Sequence, residues 1–298
     1  MMHTICSRTP RALLALLALT FLLACGNEPP AAATTPNSQP PAAATPAVTP
    51  AVATAQDPQT ATQDAEDAKD DAERALVLQK WTGDLDGMIE RRRIRVLTTY
   101  SKTHFFVDKG TQMGLVVDAL KLFEDAVNKE RNTKNVRIHV VIVPVANDEL
   151  IPALLDGRGD IVAAGKVMTE WRAEQVDFTN PTRKGISSVV VTGPGVPPVN
   201  SIQDLSGREV YIRPSDFSSK NLEKFNAQLA AAGKPPVTVK PAPEVLSDED
   251  ILEMVSAGLA PMKVVDDYIA DFWKQVFPKL VINRAAATRT DHSFFCAR

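Results

Sequence analysis

Hydrophobic and polar positions follow two different periods over the later and longer part of the chain. From about residue 84, short runs rich in β-branched residues are followed by stretches whose apolar residues recur at helical spacing. Strands are predicted at residues 94–99, 136–143, 160–164, 189–192, 210–213, 237–239, 262–265 and 281–282. The continuous apolar run at 136–143 is typical of a strand that is buried on both faces.

The segments between these strands carry helical patterns, so the fold class predicted is α/β with a parallel sheet. Ser247 and Asp250 form a capping-box pattern that opens one helix, and another helix begins near Asp266, directly after a strand. Further helices are predicted over residues 115–127, 148–155 and 222–232.

A glycine- and proline-rich segment at residues 193–198 divides this region into two series of strands and helices. We therefore predict two α/β lobes, the first over residues 84–195 and the second over residues 196–284. A cleft between two small lobes is a common place for a small-molecule site. Residues 285–298 show neither strand alternation nor a helical stripe, and we predict an atypical tail there.

The first 24 residues have the pattern of a secretory signal peptide. Arg8 and Arg11 precede an apolar run that ends at Ala24 and is too short to span a bilayer, which requires roughly 20 apolar residues. The last residues of this run, with Cys25, resemble the lipobox of bacterial lipoproteins, which implies cleavage before Cys25 and its acylation with palmitate-type chains. The alternative is an ordinary signal peptide that contains a cysteine. Gly26 after the cysteine, by the same resemblance, favours the outer membrane.

Residues 25–83 are predicted to separate this anchor from the globular region. Residues 27–58 consist largely of Pro, Ala, Thr, Ser and Gln with eight prolines, and such a segment buries too little apolar surface to fold. We expect an extended, disordered spacer there. Residues 57–74 carry seven acidic and two basic residues, a pattern that predicts a solvated helix.

Composition and charge exclude several classes of function. The formal net charge is −3, from 33 basic and 36 acidic residues, so the chain lacks the basic excess with which nucleic-acid binders neutralise phosphates. Three cysteines do not make a disulfide scaffold, and the four histidines do not have metal-ligand spacing. We find no phosphate loop and no nucleophile motif, and we therefore predict no metal, no cofactor, no catalytic residue and no nucleic-acid partner.

Residues 157–181 resemble the core signature of solute-binding protein family 3. This stretch contains a strand opened by Asp160, then a Thr169-x-x-Arg172 step, and then Asp-Phe-Thr-Asn-Pro at 177–181. Residues 204–212 are similar to the start of the family's second lobe. The resemblance covers about residues 85–282 and implies the two-lobed, type II fold of periplasmic binding proteins.

Within this family, residues 163–165 and the lipoprotein-like start are similar to the binding lobe of membrane-bound lytic murein transglycosylase F. In that enzyme a lysozyme-like catalytic domain follows the lobe, and we find no stretch that resembles its catalytic motif. The family's chain also returns to the first lobe after the point that corresponds to Ile282. Because residues 284–298 lack that pattern, we predict a C-terminally truncated product, with a natural variant that has a disordered end as the alternative.

Two charged residues are the main candidates for ligand binding. Arg172 follows a strand, and the resemblance implies that it clamps a ligand carboxylate through its planar, two-pronged guanidinium group. The alternative is a surface arginine paired with Glu174 or Asp177. Asp266 ends a strand and begins a helix, where the family binds the ligand's ammonium group. The alternative is a helix N-cap, and the two roles are compatible.

The remaining candidate site residues are Ser215, Gly165 and Thr169. The hydroxyl of Ser215 and the backbone N–H groups of its loop suit an anion, although the charge of Asp216 opposes one. The resemblance adds Gly165 and Thr169. Residues 164–167 lack the hydroxyl groups usual in amino-acid binders and contain a lysine, which favours a larger zwitterion such as a cell-wall peptide over a standard free amino acid.

The function predicted is a non-enzymatic, lipid-anchored, periplasmic solute-binding protein that binds a small polar, zwitterionic ligand for transport or cell-wall sensing. Its partners would be the membrane, through the lipid anchor, and an ABC importer or a cell-wall enzyme. The alternative is a transglycosylase F-like protein that lacks its catalytic domain. A dehydratase on the same fold, which lacks an evident acid–base pair here, and a product too damaged to fold stably are further alternatives.

Overall fold

The computed structural model describes the backbone of residues 58–297 and the side chains of residues 66–287 apart from Glu73. The predicted signal peptide, the acylation site Cys25 and the proline-rich spacer lie outside the described residues. The predicted acidic helix is confirmed as α1 (Pro58–Leu78), whose described side chains are exposed except for the half-buried Val77. Within the described residues, we find no helix with the length and apolar character needed to cross a bilayer.

The first lobe comprises the elements that follow α1 up to residue 178. These are α2 (Leu85–Glu90), β1 (Arg93–Thr98), the hairpin of β2 (Phe106–Asp108) and β3 (Thr111–Met113), α3 (Leu115–Glu130) and β4 (His139–Pro144). A single 3-10 turn (Asn147–Glu149) then leads to α4 (Leu150–Leu155), β5 (Ile161–Val167), α5 (Glu170–Ala173) and β6 (Asp177–Phe178).

The second lobe is built from a 3-10 turn (Ile202–Leu205), β8 (Glu209–Ile212), α6 (Phe217–Ala231), β9 (Thr238–Pro241), α7 (Asp248–Ser256), β10 (Met262–Asp266) and α8 (Asp267–Val276). Two long strands, β7 (Arg183–Thr192) and β11 (Val281–Ala297), run through both lobes.

The main sheet has the strand order β10-β7-β11-β5-β1-β4, with β6 paired to β11. The predicted parallel arrangement is confirmed for β1 with its neighbours β4 and β5, and for the separate pair of β8 and β9. By contrast, β7 and β11 are antiparallel to every strand that they contact. The sheet is therefore mixed. The chain crosses from the first lobe to the second on β7 and returns in the opposite direction on β11.

The prediction that residues 285–298 form no strand is wrong. In the structure β11 continues to Ala297, and its later part pairs with β7 through residues 288–292 and with β5 through residues 292–297. Main-chain hydrogen bonds to two flanking strands define this segment, so it does not need an alternating side-chain pattern. The register shifts between Asn283 and Thr288, where β11 passes from one lobe to the other.

The prediction that the strand at 136–143 is buried on both faces is also wrong. Strand β4 begins at His139 and lies at the edge of the main sheet, with most of its side chains half-buried. The side chain of His139 is 66% exposed. An apolar run fits such an edge because helix α3 still covers part of one face.

Hydrophobic side chains fill both faces of the sheet in each lobe. In the first lobe Val96 packs with residues of α2 and α3, whereas Leu97, next in sequence, packs with α4 on the other face. In the second lobe Val189 and Val191 pack against α7 and α8, and Val190 faces β8 and α6. The predicted boundary between the lobes, at residues 195 and 196, stays a prediction. Because residues 189–191 of β7 already pack against helices and strands of the second lobe, the chain changes lobe within β7.

A fully buried cation fixes the segment that leads into the first lobe. Arg95, in the middle of β1, donates to the carbonyl oxygens of Gln79 (2.5 Å), Trp81 (3.1 Å) and Gly157 (2.9 Å), and to the carboxylate of Asp160 (2.8 Å). Arg91 also donates to Asp160. These charge-assisted bonds hold the chain around Trp81 against the start of β5.

Candidate ligand-binding site

A small polar cavity of about 90 Å³ lies between the two lobes. The carboxyl end of β5 and the helix after it line one side, and β10 with the loop after β8 lines the other. Four of the five predicted ligand-binding residues line this cavity, namely Arg172, Asp266, Ser215 and Gly165. Thr169 is not among the lining residues. The structure therefore brings together candidates that are about 100 positions apart in the sequence.

Arg172 lies in α5, directly after β5, and only 4% of the residue is exposed. Its Nη1 donates to the carbonyl oxygen of Val167 (2.9 Å) and its Nη2 to that of Ser215 (3.3 Å), so the guanidinium group joins both lobes. The guanidinium carbon lies 4.6 Å from the centre of the Trp171 ring. The alternative of a surface arginine does not fit a side chain that is buried and held on both sides.

Thr169 occupies the N-cap position of α5, one turn before Arg172. Its carbonyl oxygen accepts from the backbone N–H of Arg172 (3.0 Å) and that of Ala173 (2.8 Å). Its hydroxyl oxygen is buried, makes no capping bond, and has no hydrogen-bond partner among the described residues. This hydroxyl group is therefore a buried donor close in sequence to Arg172, although Thr169 itself does not line the cavity.

Asp266 ends β10 and occupies the N-cap position of α8, as both predicted roles require. Its side chain makes no capping bond, and the next residue, Asp267, accepts from the backbone N–H of Tyr268 instead (2.8 Å). Burial, with the nearby carboxylates of Asp248 and Asp267, raises the pKa of Asp266 to about 8. The geometry favours the role at the cavity over the role of a cap.

Ser215 lines the cavity, but its contacts do not support the predicted anion site. Its backbone N–H donates to Glu244 Oε1 (2.9 Å) and its hydroxyl group donates to Glu244 Oε2 (2.5 Å). The Nδ2 group of Asn147, from the first lobe, donates to the same Ser215 hydroxyl oxygen (2.5 Å). Both donors of Ser215 are therefore directed at a protein carboxylate.

Sequence reasoning missed a cluster of two buried cations and two half-buried carboxylates at the cavity. Arg213 Nη2 and Lys263 Nζ lie 2.8 and 2.9 Å from Asp248 Oδ1, and Arg213 Nε donates to Asp216 Oδ1 (3.0 Å). The cations lower the pKa of Asp248 against the effect of its burial, and the acidic side chains raise the pKa of Arg213. The two cations and the two anions balance each other, so the cluster adds no net charge to this side of the cavity.

Lys263, a charged residue within the apolar strand predicted at 262–265, could have indicated a buried ion pair. The sequence does not reveal which residues it pairs with. Asn147 was missed entirely, because nothing in the loop before α4 marks it. Lys166 was noticed as a charge, and the structure shows its Nζ group donating to Asn147 Oδ1 (2.5 Å). Burial, with repulsion from Arg172 and Arg213, lowers the pKa of Lys166 to about 7.

Gly165 has a φ angle of +56°, in the left-handed region that favours glycine. A Cβ atom there would lie 4.0 Å from His104 Nε2 and from the Tyr268 hydroxyl oxygen, so the constraint is the backbone conformation rather than space. Burial lowers the pKa of His104, which keeps the ring neutral beside the cavity. This glycine turns β5 so that Lys166 and the residues after it face the cleft.

Direct contacts between the lobes close the cleft around the cavity. The buried carboxylate of Glu249, at the start of α7, accepts from the Ser101 hydroxyl group (2.6 Å) and the Thr103 backbone N–H (2.9 Å). The indole N–H of Trp273 donates to Thr103 Oγ1 (2.9 Å). Within the described part of the chain, no group of three or more potential ligand side chains is arranged to hold a metal ion.

Comparison with known proteins gives matches that span both lobes. Residues 93–270 match the model of the bacterial extracellular solute-binding proteins, family 3. A stretch of 142 residues is 28% identical to membrane-bound lytic murein transglycosylase F 1 of Alkalilimnicola ehrlichii, and covers 47% of this chain and 27% of that protein. The chain thus spans about a quarter of the length of this curated relative.

Solved structures with a similar fold include the holo form of ArgBP from T. maritima, with 21% identity and a TM-score of 0.58 over 72% of this chain and 86% of that one. An ancestral arginine-binding protein bound to arginine is 25% identical, with a TM-score of 0.56 over 70% of this chain and 85% of that one. A structure of an ancestral arginine-binding protein bound to glutamine is 26% identical, with a TM-score of 0.55 and coverages of 70% and 84%.

Proposed function

Because the chain belongs to the bacterial extracellular solute-binding proteins of family 3, we propose that it is a receptor that binds a small zwitterionic ligand between its lobes. The observation that carries the proposal is that Arg172 of the first lobe and Asp266 of the second line one cavity. A guanidinium group suits a ligand carboxylate, and a carboxylate suits a ligand ammonium group. A ligand that carries both charges would then contact both lobes at once.

The surroundings of Arg172 support a role in binding a carboxylate. Its contacts to two carbonyl oxygens fix the orientation of the guanidinium plane, which reduces the entropy lost when a ligand binds. The Thr169 hydroxyl group, at the start of the same helix, has a donor to contribute. An arginine and a hydroxyl group that are both held by one helical turn form a suitable pair for the two oxygens of a carboxylate.

The raised pKa of Asp266 supports the second half of the proposal. A carboxyl group with a pKa of about 8 is largely protonated at neutral pH, because burial and neighbouring acidic groups disfavour its charge. An ammonium group placed beside it would stabilise the ionised form. The ligands named for the two ancestral structures, arginine and glutamine, both carry an α-carboxylate and an α-ammonium group.

The cavity is too small in this conformation for the ligand that we propose. Ligand pockets usually have volumes of about 300 Å³ or more, whereas this one has about 90 Å³. The lobes must therefore separate to admit a ligand and then close around it, and β7 and β11 are the segments on which that motion would turn. We place the receptor outside the cytoplasm, as for its family, and propose that acylated Cys25 anchors it to the outer membrane, with an importer or a cell-wall enzyme as partner.

A second candidate function comes from the match to transglycosylase F. Under this alternative the described lobes would be the non-catalytic part of an enzyme that cleaves peptidoglycan. Incubation of the purified chain with peptidoglycan distinguishes the two functions. We expect no anhydro-muropeptides, and their appearance would favour the enzyme.

Isothermal titration calorimetry on the full chain tests the receptor. We expect saturable heat with at least one zwitterion from a panel of amino acids and cell-wall peptides. Arg172→Met should weaken binding by about 100-fold or more, the equivalent of two charge-assisted hydrogen bonds, and Arg172→Lys should recover only part of the loss because it lacks the planar fork.

The matched control is Arg131→Met, which removes an exposed arginine just beyond the end of α3. This variant should bind like the wild type. Thermal melts of all variants establish that they are folded. The receptor proposal fails if no zwitterion binds, or if binding does not respond to the loss of Arg172 in a folded variant.

A further inference from the structure

Lys166, which is half-buried, differs from the buried cations Arg213 and Lys263 in what it contacts. Its Nζ group donates to the uncharged Asn147 Oδ1, and no carboxylate oxygen of a described residue lies within 4.0 Å of it. By contrast, Arg213 and Lys263 are both paired with Asp248 and Asp216. Removal of an ammonium group from water without a carboxylate partner is costly, because part of its hydration is lost and only a neutral acceptor replaces it.

Lys166 also lies where two cavities meet. It lines the ligand cavity, and it lines a neighbouring cavity of about 220 Å³ together with Trp171, Arg172, Ser215 and Lys220. Lys220 adds a further cation there, with its Nζ group 3.8 Å from the centre of the Trp171 ring. The acidic residues of this neighbouring cavity are Asp216, which is already paired with Arg213, and the exposed Asp148. The Lys166 side of the site therefore has both unfilled volume and positively charged side chains.

We propose that Lys166 binds a second anionic group of the ligand, a carboxylate additional to the one at Arg172. This inference rests on the proposed function and narrows its ligand to acidic amino acids or short peptides with an acidic side chain. The second carboxylate would displace or share the Asn147 amide and extend towards the neighbouring cavity. Asn147 acts as a neutral acceptor that holds the Lys166 ammonium group in place until the ligand arrives.

The same charges disfavour a cationic ligand side chain. A ligand guanidinium group near Lys166 would meet two positive groups, Lys166 itself and Arg172, whereas the charge of Arg213 is balanced by Asp216 and Asp248. An acidic side chain would instead relieve that repulsion. We therefore expect this chain to differ in ligand from the arginine-bound ancestral protein that shares its fold.

Two matched ligand pairs test the proposal by calorimetry on the full chain, L-glutamate against L-glutamine and the dipeptide Ala-Glu against Ala-Gln. The members of each pair have nearly the same shape and differ in charge. The wild type should bind the carboxylate member of at least one pair about tenfold more tightly than the amide, as one charge-assisted hydrogen bond would produce. Lys166→Met should reduce this preference to within about threefold, because both members of each pair then meet an uncharged side chain.

Two further variants and the melting temperature serve as controls. Lys166→Arg keeps the charge and should keep the carboxylate preference, and Lys234→Met removes an exposed lysine of the second lobe and should behave like the wild type. Equal binding of both members by the wild type, or a preference that persists in folded Lys166→Met, overturns the Lys166 proposal alone. If no member of either ligand pair binds, the Lys166 proposal is overturned as well. Binding of other zwitterions would in that case still support the proposed receptor function. If no zwitterion binds at all, both proposals fail.

Discussion

Asp266 is held in a conformation that keeps its carboxyl group protonated at neutral pH. Its pKa is raised to about 8 by burial and by the carboxylates of Asp248, Asp267 and Asp216. In the unfolded chain an aspartate has a pKa of about 3.9. Between these two values the folded protein binds more protons than the unfolded one, so the stability of the ligand-free protein should fall as the pH rises through this window.

Replacement of Asp266 by asparagine should remove this pH dependence, because an amide resembles the protonated carboxyl group and does not titrate. We expect the melting temperature of the ligand-free wild type to fall by several degrees more than that of Asp266→Asn between pH 5 and pH 8. Thermal melts followed by circular dichroism provide the measurement. The exposed Asp118→Asn serves as control and should follow the wild type. Parallel curves for the wild type and Asp266→Asn would contradict the account.

Individual residues differ in how far the sequence predicts their roles. Arg172, Asp266, Ser215 and Gly165 could be assigned to one site because the family resemblance extends over about residues 85–282, and all four line one cavity. The pairing of Ser215 with Glu244 could not be predicted, since only folding brings residues from separate loops within 2.9 Å. A sequence shows which charges exist, whereas their pairing depends on the tertiary structure.

Helix α7 shows how a local pattern determines the start of an element. The predicted capping box is confirmed, since Ser247 Oγ accepts from the backbone N–H of Asp250 (3.2 Å) and Asp250 Oδ2 accepts from that of Ser247 (2.9 Å). The same turn carries Asp248, which belongs to the charge cluster at the cavity, and Glu249, which contacts the first lobe. The start of α7 therefore positions groups on both sides of the cleft.

Loss of the cap should destabilise the protein and leave the fold intact. Ser247→Ala removes the hydroxyl group that satisfies an N–H of the first turn, and the free energy of unfolding should fall by about 1 kcal/mol. Urea denaturation measures the change. Ser256→Ala, at the last residue of the same helix, should change the free energy by less than about 0.5 kcal/mol. A Ser247→Ala variant as stable as the wild type would show that the cap contributes nothing.

Strands were predictable where side-chain pattern determines them and unpredictable where main-chain pairing does. The runs at 94–99 and 262–265 appear as β1 and β10 with boundaries shifted by one residue. Residues 288–297 have no such pattern, and yet they form a strand because β5 and β7 flank them with open hydrogen-bonding edges. The edge position of β4 also depends on the order of strands in the sheet, which local periodicity does not encode.

At the scale of the whole molecule, β11 connects the two lobes into one sheet. It lies between β5 of the first lobe and β7, which itself pairs with β10 of the second. Without β11, two strands would each present an unpaired edge in the middle of the sheet. The lobes would then be linked by β7 alone.

Deletion of the chain from residue 281 onward should therefore abolish cooperative unfolding, because the central strand of the main sheet would be missing. Near-ultraviolet circular dichroism and a thermal melt measure the effect. A chain that begins at Val77 is the matched control. It loses most of the exposed helix α1 and keeps the carbonyl groups that bind Arg95, so its melting temperature should stay within a few degrees of the wild type. A sharp melt from the chain without β11 would contradict this view of the sheet.

The place of β11 has a consequence for the order in which the protein is made. The ribosome synthesises β5 and β7, which flank β11, long before residue 281. These strands therefore lack their central neighbour until every other described strand has been synthesised. Such long-range closure makes folding slow. Under the location outside the cytoplasm that we propose, slow folding would keep the chain unfolded until it reaches a secretion channel, and β11 would join its neighbours on the far side of the membrane.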